Sequence, residues 1–566
     1  MKKDSYKIQL TSKDYIKFNY KHTDINKLVD DSKVTEMISK KLESLFKGDK
    51  VNFTENEKVL FWATRKRSVL KAINNKFEEN KTEKAGEIPF IEEEKEIIEE
   101  FKKLETFVTK IRKGELKSFS GKNFDTVINI GIGGSDLGNR LLGQSLSYKD
   151  HLKLHFISNV DPTSIYETLK NINIETTLFV VVSKTWSTKE TLENARIVKE
   201  YICEKFNNIH IKDISKNFIS VSARPDLSEK FGTIENFKIW GYFGGRFSVW
   251  SAVGISIALS YGFDVFTQFL SGANTVDESV YHHLKEKTLG NSVFMAQSLL
   301  ELHYMKEGYS KCVVPYSEYM KYYYQYLQQL EMESNGKKQS NMVIWGGIGT
   351  DVQHSFFQMI HQGDKKILTE FIVPMSLPKE LMESDIVKNS ITLKSNIKQS
   401  HKTLIANCLA QSKSFWDGKK NEDINQHFEG GKPNILQSVS SITPEVLGGL
   451  LAFNEIKVII QGFILEINSF DQFGVALGKK VANDIESVLG ECIDQIKEGK
   501  KNISEEVKDD LNKIKNETNL EAEVIDEGLT SERKKVKESI NDYNEKLKES
   551  YNDLIEEIKD FKDQNL

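Results

Sequence analysis

The sequence predicts an α/β protein built on parallel sheets covered on both faces. Three segments carry that prediction, each a short apolar run that ends in a small-residue loop and continues as a helix-like stretch. They are Thr126-Val-Ile-Asn-Ile130 before Gly131-Ile-Gly-Gly-Ser-Asp-Leu-Gly138, Leu178-Phe-Val-Val-Val182 before Ser183-Lys-Thr-Trp-Ser-Thr188, and Met342-Val-Ile-Trp345 before Gly346-Gly-Ile-Gly349. Continuous rather than alternating apolar strands suit a parallel sheet buried on both sides, and repeated strand, loop and helix units imply α/β layers. Residues 120–260 and 300–485 each read as one such layer system.

In chain order, residues 1–115 are charge-rich and mostly helix-like, with apolar residues three and four apart in Lys33 to Phe46 and Glu92 to Lys110. The three loops then open helix-like stretches at Asn139 to Leu146, Lys189 to Lys205 and Gln353 to Ile360. Tyr322 to Met332 reads as an amphipathic helix stopped by Asn335-Gly336. From Asp494 to Leu566 there is no proline, and Ile540, Tyr543, Leu547, Tyr551, Leu554, Ile558 and Phe561 step by threes and fours. That spacing predicts a charged amphipathic helix or helical hairpin, read as a solvated extension rather than a coiled coil because the stripe falls short of four clean heptads.

Composition bounds the function. With 566 residues, 39% hydrophobic and only 8 prolines, the chain holds several packed units and is not broadly disordered. A net charge of -5 supplies no global drive toward nucleic acid or anionic membrane. Cys203, Cys312, Cys408 and Cys492 lack CxxC spacing, which argues against a disulfide scaffold or zinc ribbon and for a reducing compartment. The polar start and the lack of a bilayer-length apolar stretch lead us to expect a soluble, cytoplasmic protein.

Several loops carry residues suited to chemistry. The Gly131 to Gly138 loop exposes backbone N–H groups before a helix, yet it matches neither Walker A nor the Rossmann fingerprint, whose third glycine would fall at Asp136. A tight turn without ligand and an anion site remain equally open there. Ser183, Lys184, Thr185, Ser187 and Thr188 crowd hydroxyls and an ammonium into one strand-to-helix loop, which favours a phosphate cradle over simple capping. Gln329 and Glu333 share a helix face; a carboxylate at a helix C-terminus becomes a stronger base if desolvated, although this stretch by itself reads more readily as an exposed glutamate. His354 suits acid/base work and His361 a core or capping position, without metal-motif spacing. Arg246 follows two glycines and could clamp an anion or serve a structural ion pair, and Lys479 is a solvated lysine unless a cleft claims it.

Together the segments resemble the phosphoglucose isomerase family over about residues 30–490. The pieces are GDKVNFTEN from Gly48, VINIGIGGSDLG from Val127, SNVDPT from Ser158, SKTWSTKET from Ser183, GGRFSVWSAVG from Gly244, QQLEMESNGK from Gln328, VIWGGIGTDVQHSFFQMIHQG from Val343 and INSFDQFGVALGK from Ile467. The resemblance implies two doubly wound sugar-isomerase (SIS) domains at 116–285 and 286–490, after a helical segment 1–115 and before an extension 491–566. It implies interconversion of glucose 6-phosphate and fructose 6-phosphate by a homodimer without metal or nucleotide. Glu333 would shuttle the proton between C1 and C2, Arg246 steady the enediolate, His354 open the ring from the partner subunit, and Lys479 assist at the ring oxygen. Ser183, Lys184, Thr185 and Thr188 would lie on the phosphate loop, and Gly134, Ser135, Gln329 and Gln472 would contact substrate.

The chain departs from the family pattern at Trp186-Ser-Thr-Lys-Glu-Thr191, at Gly241 in place of an acidic residue, at Gly347-Ile348 in place of Glu and Pro, and at Ala476 in place of Glu. Binding is expected to survive the first, the Gly241 and Gly347-Ile348 changes put loop shape in question, and Ala476 removes a carboxylate that could partner a neighbouring cation. A non-catalytic sugar-phosphate-binding regulator is the alternative from another class, opposed by retention of Glu333, His354, Arg246 and Lys479. A secreted signalling role has no export signal to support it.

Overall fold

The computed structural model describes residues 3–28, 31–74, 87–149, 151–206, 211–338, 342–483 and 485–486. Residues 1–471 form one compact body, and residues from 472 onward belong to a second unit. The charged extension expected over 491–566, and Cys492 with it, lie outside the described residues.

Among the described residues, eleven strands form two sheets. They are β1 (Ser5–Gln9), β2 (Tyr15–Asn19), β3 (Thr126–Ile130), β4 (Lys153–Ile157), β5 (Thr177–Val182), β6 (Phe218–Val221), β7 (Asn236–Phe237), β8 (Ser310–Pro315), β9 (Ile344–Gly346), β10 (Ile367–Pro374) and β11 (Asn434–Val439). The first sheet runs β4-β3-β5-β6-β7 and is parallel throughout. The second runs β1-β2-β11-β10-β8-β9, parallel from β11 to β9, with β1 and β2 added antiparallel at one edge.

Side chains that alternate along a strand leave on opposite faces, and both faces of both sheets are packed. In β5, Leu178, Val180 and Val182 join the large central core, while Phe179 and Val181 join a separate cluster with Ile128, Ile130 and Phe218. In β10, Leu368 and Ile372 face the central core, and Ile367, Phe371 and Val373 face a third cluster with Cys312 and Val314. Burial on two sides is why these strands read as unbroken apolar runs. The helix Lys189–Lys205 and the strand β3 have the bounds expected from the sequence.

Two elements differ from expectation. The lead-in does not begin as helix: residues 5–19 form the β1–β2 hairpin, whose Ile16 and Phe18 are fully buried between polar neighbours. That period-two pattern is short and set in charged text, so the helical periodicity further on masks it. The helix expected over Tyr322 to Met332 is α-helical only at Tyr323–Leu327 and then widens into a π-helix, Gln328–Glu333.

The helix Pro444–Ile464 is long and apolar enough to cross a membrane, but 94% of its most apolar window is buried inside the body. It brings Glu455 to a fully buried charge cluster. Arg65 donates to Asp277 at 2.6 and 2.9 Å and to Glu455 at 2.7 Å, the Trp250 indole donates to Glu455 at 2.6 Å, and the guanidinium lies 4.3 Å from the Trp250 ring centroid. Burial works against the guanidinium's charge, but the two carboxylates more than offset it and raise its pKa. One cation cannot satisfy both carboxylates equally, and burial pushes the Glu455 carboxyl up to about 7. A carboxyl raised on folding binds its proton more tightly in the folded state, so its contribution to stability declines as pH rises from 4.5, its ordinary value, through about 7. Glu455→Gln is therefore expected to flatten the fall in melting temperature across that window, which calorimetry at a series of pH values checks.

Candidate active site

The site is assembled at the carboxyl ends of the first sheet's strands, where loops of an open parallel sheet gather. After β3, the tight turn Gly133–Ser135 packs on a second turn, Gly245–Phe247. Gly134 is required by that contact: a Cβ there would lie 2.0 Å from the Gly245 carbonyl oxygen. Ser248 Oγ donates to the Gly134 carbonyl at 3.2 Å, and Asn129 holds the Ser135 carbonyl at 3.0 Å. Asp136, standing at the third-glycine position, is buried and clamped by Arg140 at 2.9 and 3.0 Å.

Arg246 is the centre of the arrangement. Its side chain is fully buried, Nε donates to Ser334 Oγ at 2.6 Å, and one terminal nitrogen donates to the backbone carbonyls of Ser469 and Asp471. The other terminal nitrogen lies 3.8 Å from Glu333 Oε1. Burial pulls the guanidinium down to about 10, against the opposing pull of Glu333, Asp471 and Glu55, so it stays cationic at neutral pH.

Glu333 ends the π-helix beside Ser334. Its side chain is 25% exposed, and Oε2 is buried with no hydrogen bond from any of the described residues. The π-turn also carries Gln329, whose amide lies 3.2 Å from where a Cβ of Gly133 would stand. Gly134, Arg246, Gln329 and Glu333 are thus brought together. Unforeseen from the sequence are the groups that brace them. Asn335 donates to the Val458 carbonyl at 2.9 Å and accepts from Ser469 at 2.7 Å; Lys337 pairs with the Asp471 carboxylate at 2.6 Å. Thr54 donates to the same carboxylate at 2.6 Å, so the Asn-Phe-Thr-Glu-Asn piece, noticed only as part of the resemblance, anchors residues 468–471. Burial alone would raise the Asp471 carboxyl, but the bonds from Lys337 and Thr54 hold it below its ordinary value.

The Ser183 loop splits into two jobs. The Ser183 hydroxyl is buried without a partner among the described residues, and Thr188 precedes the helix Lys189–Lys205 without capping it through its side chain. The exposed Thr185 and Ser187 hydroxyls bond each other at 2.7 Å. The capping alternative therefore does not account for these hydroxyls. Lys184 turns away: its ammonium donates at 2.7 Å to the carbonyls of both Gly241 and Phe243, tying this loop to the segment that leads into Arg246.

His354 ends the turn Asp351–His354 and is exposed on the body's surface. His361 is half-buried, with Nε2 3.0 Å from Gln411 Oε1 and its ring 4.5 Å from that of Phe415. Gln472 and Lys479 belong to the second unit, where both are exposed, Lys479 on the helical stretch 476–483.

Parallel sheets bearing a partly desolvated carboxylate beside a buried guanidinium define an α/β enzyme equipped for proton transfer on an anionic substrate. The comparisons make this specific. A family model described as phosphoglucose isomerase matches residues 12–504. A glucose-6-phosphate isomerase of Christiangramia forsetii is 37% identical over 478 residues, 78% of this chain and 81% of that protein. One from Blochmanniella floridana is 36% identical over 520 residues, 84% and 86%. The crystal structure of a glucose-6-phosphate isomerase from Chlamydia trachomatis superposes with a TM-score of 0.69 at 30% identity, covering 84% of this chain and 89% of that one. The chain belongs to the phosphoglucose isomerase family.

Because the Gly134 contact leaves no room for a methyl group, Gly134→Ala is expected to force the two turns apart and destabilise the fold by ~1–3 kcal/mol. The denaturant midpoint of the variant measures this.

Proposed function

We propose that the chain interconverts glucose 6-phosphate and fructose 6-phosphate, with Glu333 as the base that moves the proton. Family membership over most of the chain supports the reaction. The observation that carries the assignment of the base is the Glu333 carboxylate itself, with one oxygen 3.8 Å from Arg246 and the other buried without a hydrogen bond from the described residues. A carboxylate oxygen whose lone pairs are not engaged by donors is free to accept a carbon-bound proton.

In this reading Glu333 removes the proton from C2 of the open-chain aldose. The C–H electron pair becomes the C1–C2 double bond, and the aldehyde oxygen takes up negative charge as the enediolate. The protonated Glu333 then returns the proton to C1 while the hydroxyl proton at O2 passes to O1, leaving the ketone and restoring the carboxylate. Arg246 steadies the enediolate, an electrostatic role suited to a desolvated cation held by neutral acceptors. The hydroxyls of Ser183, Thr185 and Thr188 take the phosphate, while Gly134, Ser135, Gln329 and Gln472 contact the sugar. Lys184 acts through the loop it braces. His354 and Lys479 serve ring opening, with His354 supplied by a second copy; its exposure at the body's surface supports that reading. The two sheets support a division into sugar-isomerase domains at 116–285 and 286–490, with β1 and β2 joining the second sheet from the N-terminal segment.

Conversion of fructose 6-phosphate, followed by NADPH production with added glucose-6-phosphate dehydrogenase, is the direct test. Glu333→Gln is expected to lower kcat by ~10²–10⁴-fold with KM little changed. A folded wild-type chain that binds sugar phosphate without turnover would instead establish a regulator.

The shared site has its own test, since a closed two-fold dimer would place Glu333 of one copy with His354 of the other. Glu333→Gln and His354→Ala chains are each expected to be nearly inactive alone. Co-expressed, they should recover about a quarter of wild-type activity, because half of the dimers are mixed and each mixed dimer holds one intact site. No recovery would place both residues in the same subunit's site.

A further inference from the structure

Two residues before Glu333, the same π-turn carries a second glutamate that faces the other way. Glu331 Oε1 accepts from Lys311 at 3.1 Å and from Lys457 at 2.9 Å. Both ammonium groups also reach Glu301, at 2.9 and 3.0 Å, and Lys311 lies 2.8 Å from Glu370. The amides of Gln297 and Gln461 donate to Glu301 at 3.0 and 2.9 Å, and that of Gln437 donates to Glu370 at 2.9 Å. Every charged member has a side-chain exposure of 3% or less.

The members come from separate parts of the body: Lys311 from β8, Glu370 from β10, Glu301 from the helix Val293–Lys306, and Lys457 from the helix Pro444–Ile464. Burial works against the charge on Glu301, but the two lysines more than offset it and hold the carboxyl down at about 2. Buried ion pairs of this kind are often no more stabilising than well-packed apolar side chains of the same volume. General stability is therefore a poor account of five buried charges gathered at one turn of helix.

The turn they hold is the unusual one. π-turns are rare, and a wide turn of this sort is kept where a side chain must be aimed. Successive side chains on such a turn point about a quarter of a revolution apart, so residues two apart face nearly opposite sides. With Glu331 fixed inward, Glu333 is turned outward to the Arg246 side. The geometry points to Glu331, Lys311 and Lys457 as positioning residues that hold the π-turn and thereby aim the Glu333 carboxylate at the substrate carbon. This rests on the assignment of Glu333 as the base.

The test uses the full chain with two variants, Glu331→Gln and the paired Glu331→Met/Lys457→Met. The pair removes one charge of each sign and keeps side-chain volume, which guards against a single variant that fails to fold. Wild type and variants are compared for kcat, for KM, and for the primary isotope effect with glucose 6-phosphate deuterated at C2. Misaiming the base by a fraction of its reach is expected to lower kcat roughly 10–100-fold while KM stays within about threefold. The isotope effect should rise, because proton transfer then limits turnover. Loss of folded molecules alone lowers the apparent kcat without moving the isotope effect, so that outcome overturns the inference. So does a folded variant with unchanged kcat. A wild type without isomerase activity would remove the underlying assignment instead, and the wild-type control separates the two failures.

Discussion

The site depends on one constraint, the satisfaction of a guanidinium taken almost wholly out of water. An arginine cannot shed its charge at neutral pH, so each buried N–H must find an acceptor. Arg246 finds them in Ser334, Ser469, Asp471 and, more distantly, Glu333. The three at bonding distance lie 88 or more positions away along the chain. Seating Arg246 therefore seats the base-bearing turn and the 468–471 segment together, and the Gly134 contact brings the glycine loop to the same point.

The choice of acceptors separates this arginine from Arg65, which is also fully buried. Arg65 faces two carboxylates at bonding distance, which neutralise it and raise its pKa; it serves to join the chain's core helices. Arg246 is bonded chiefly by a hydroxyl and two backbone carbonyls, while the nearby Asp471 carboxylate is taken up by Lys337 and Thr54. Neutral acceptors orient a cation without cancelling its charge. Positive potential is left to meet negative charge as it develops on a substrate, and an anion beside a preorganised, desolvated cation gains more than it would in water. Burial depth alone would have placed the two residues in one category.

How much of this was legible in the sequence follows from how local each signal is. The strands β3 and β5 were readable because burial on both faces writes a continuous apolar run. The β1–β2 hairpin was not, since β2 turns only Ile16 and Phe18 inward and β1 only Ile8 beside a half-buried Tyr6. The helix over Tyr322 to Met332 was visible, but its π-turn was not: widening depends on Lys311 and Lys457, which are remote in sequence from Glu331. Glu333 on its own stretch looked like a surface residue, and only the packing around the turn buries Oε2. The Ser183 loop was readable as a group of hydroxyls, whereas the direction of Lys184 was set by carbonyls 57 and 59 positions away.

That direction also bears on a departure from the family pattern. The loss of an acidic side chain at Gly241 raised the question of whether the nearby loop keeps its shape. The ammonium of Lys184 is held by the carbonyl oxygen of Gly241, and by that of Phe243, rather than by any side chain at the position. A Cβ at Gly241 would meet nothing within 4 Å, so the glycine is not demanded by crowding either. Backbone carbonyls are present whatever residue occupies a position. The tie between the Ser183 loop and the segment entering Arg246 is thus indifferent to the substitution, and the acidic residue can be absent without loosening the loop. What changes is charge: burial lowers the Lys184 pKa, with Glu55 and Glu57 as the carboxylates that oppose it. The loop's positive character is therefore balanced by acids of the segment around Thr54, the same segment that anchors Asp471 beneath Arg246.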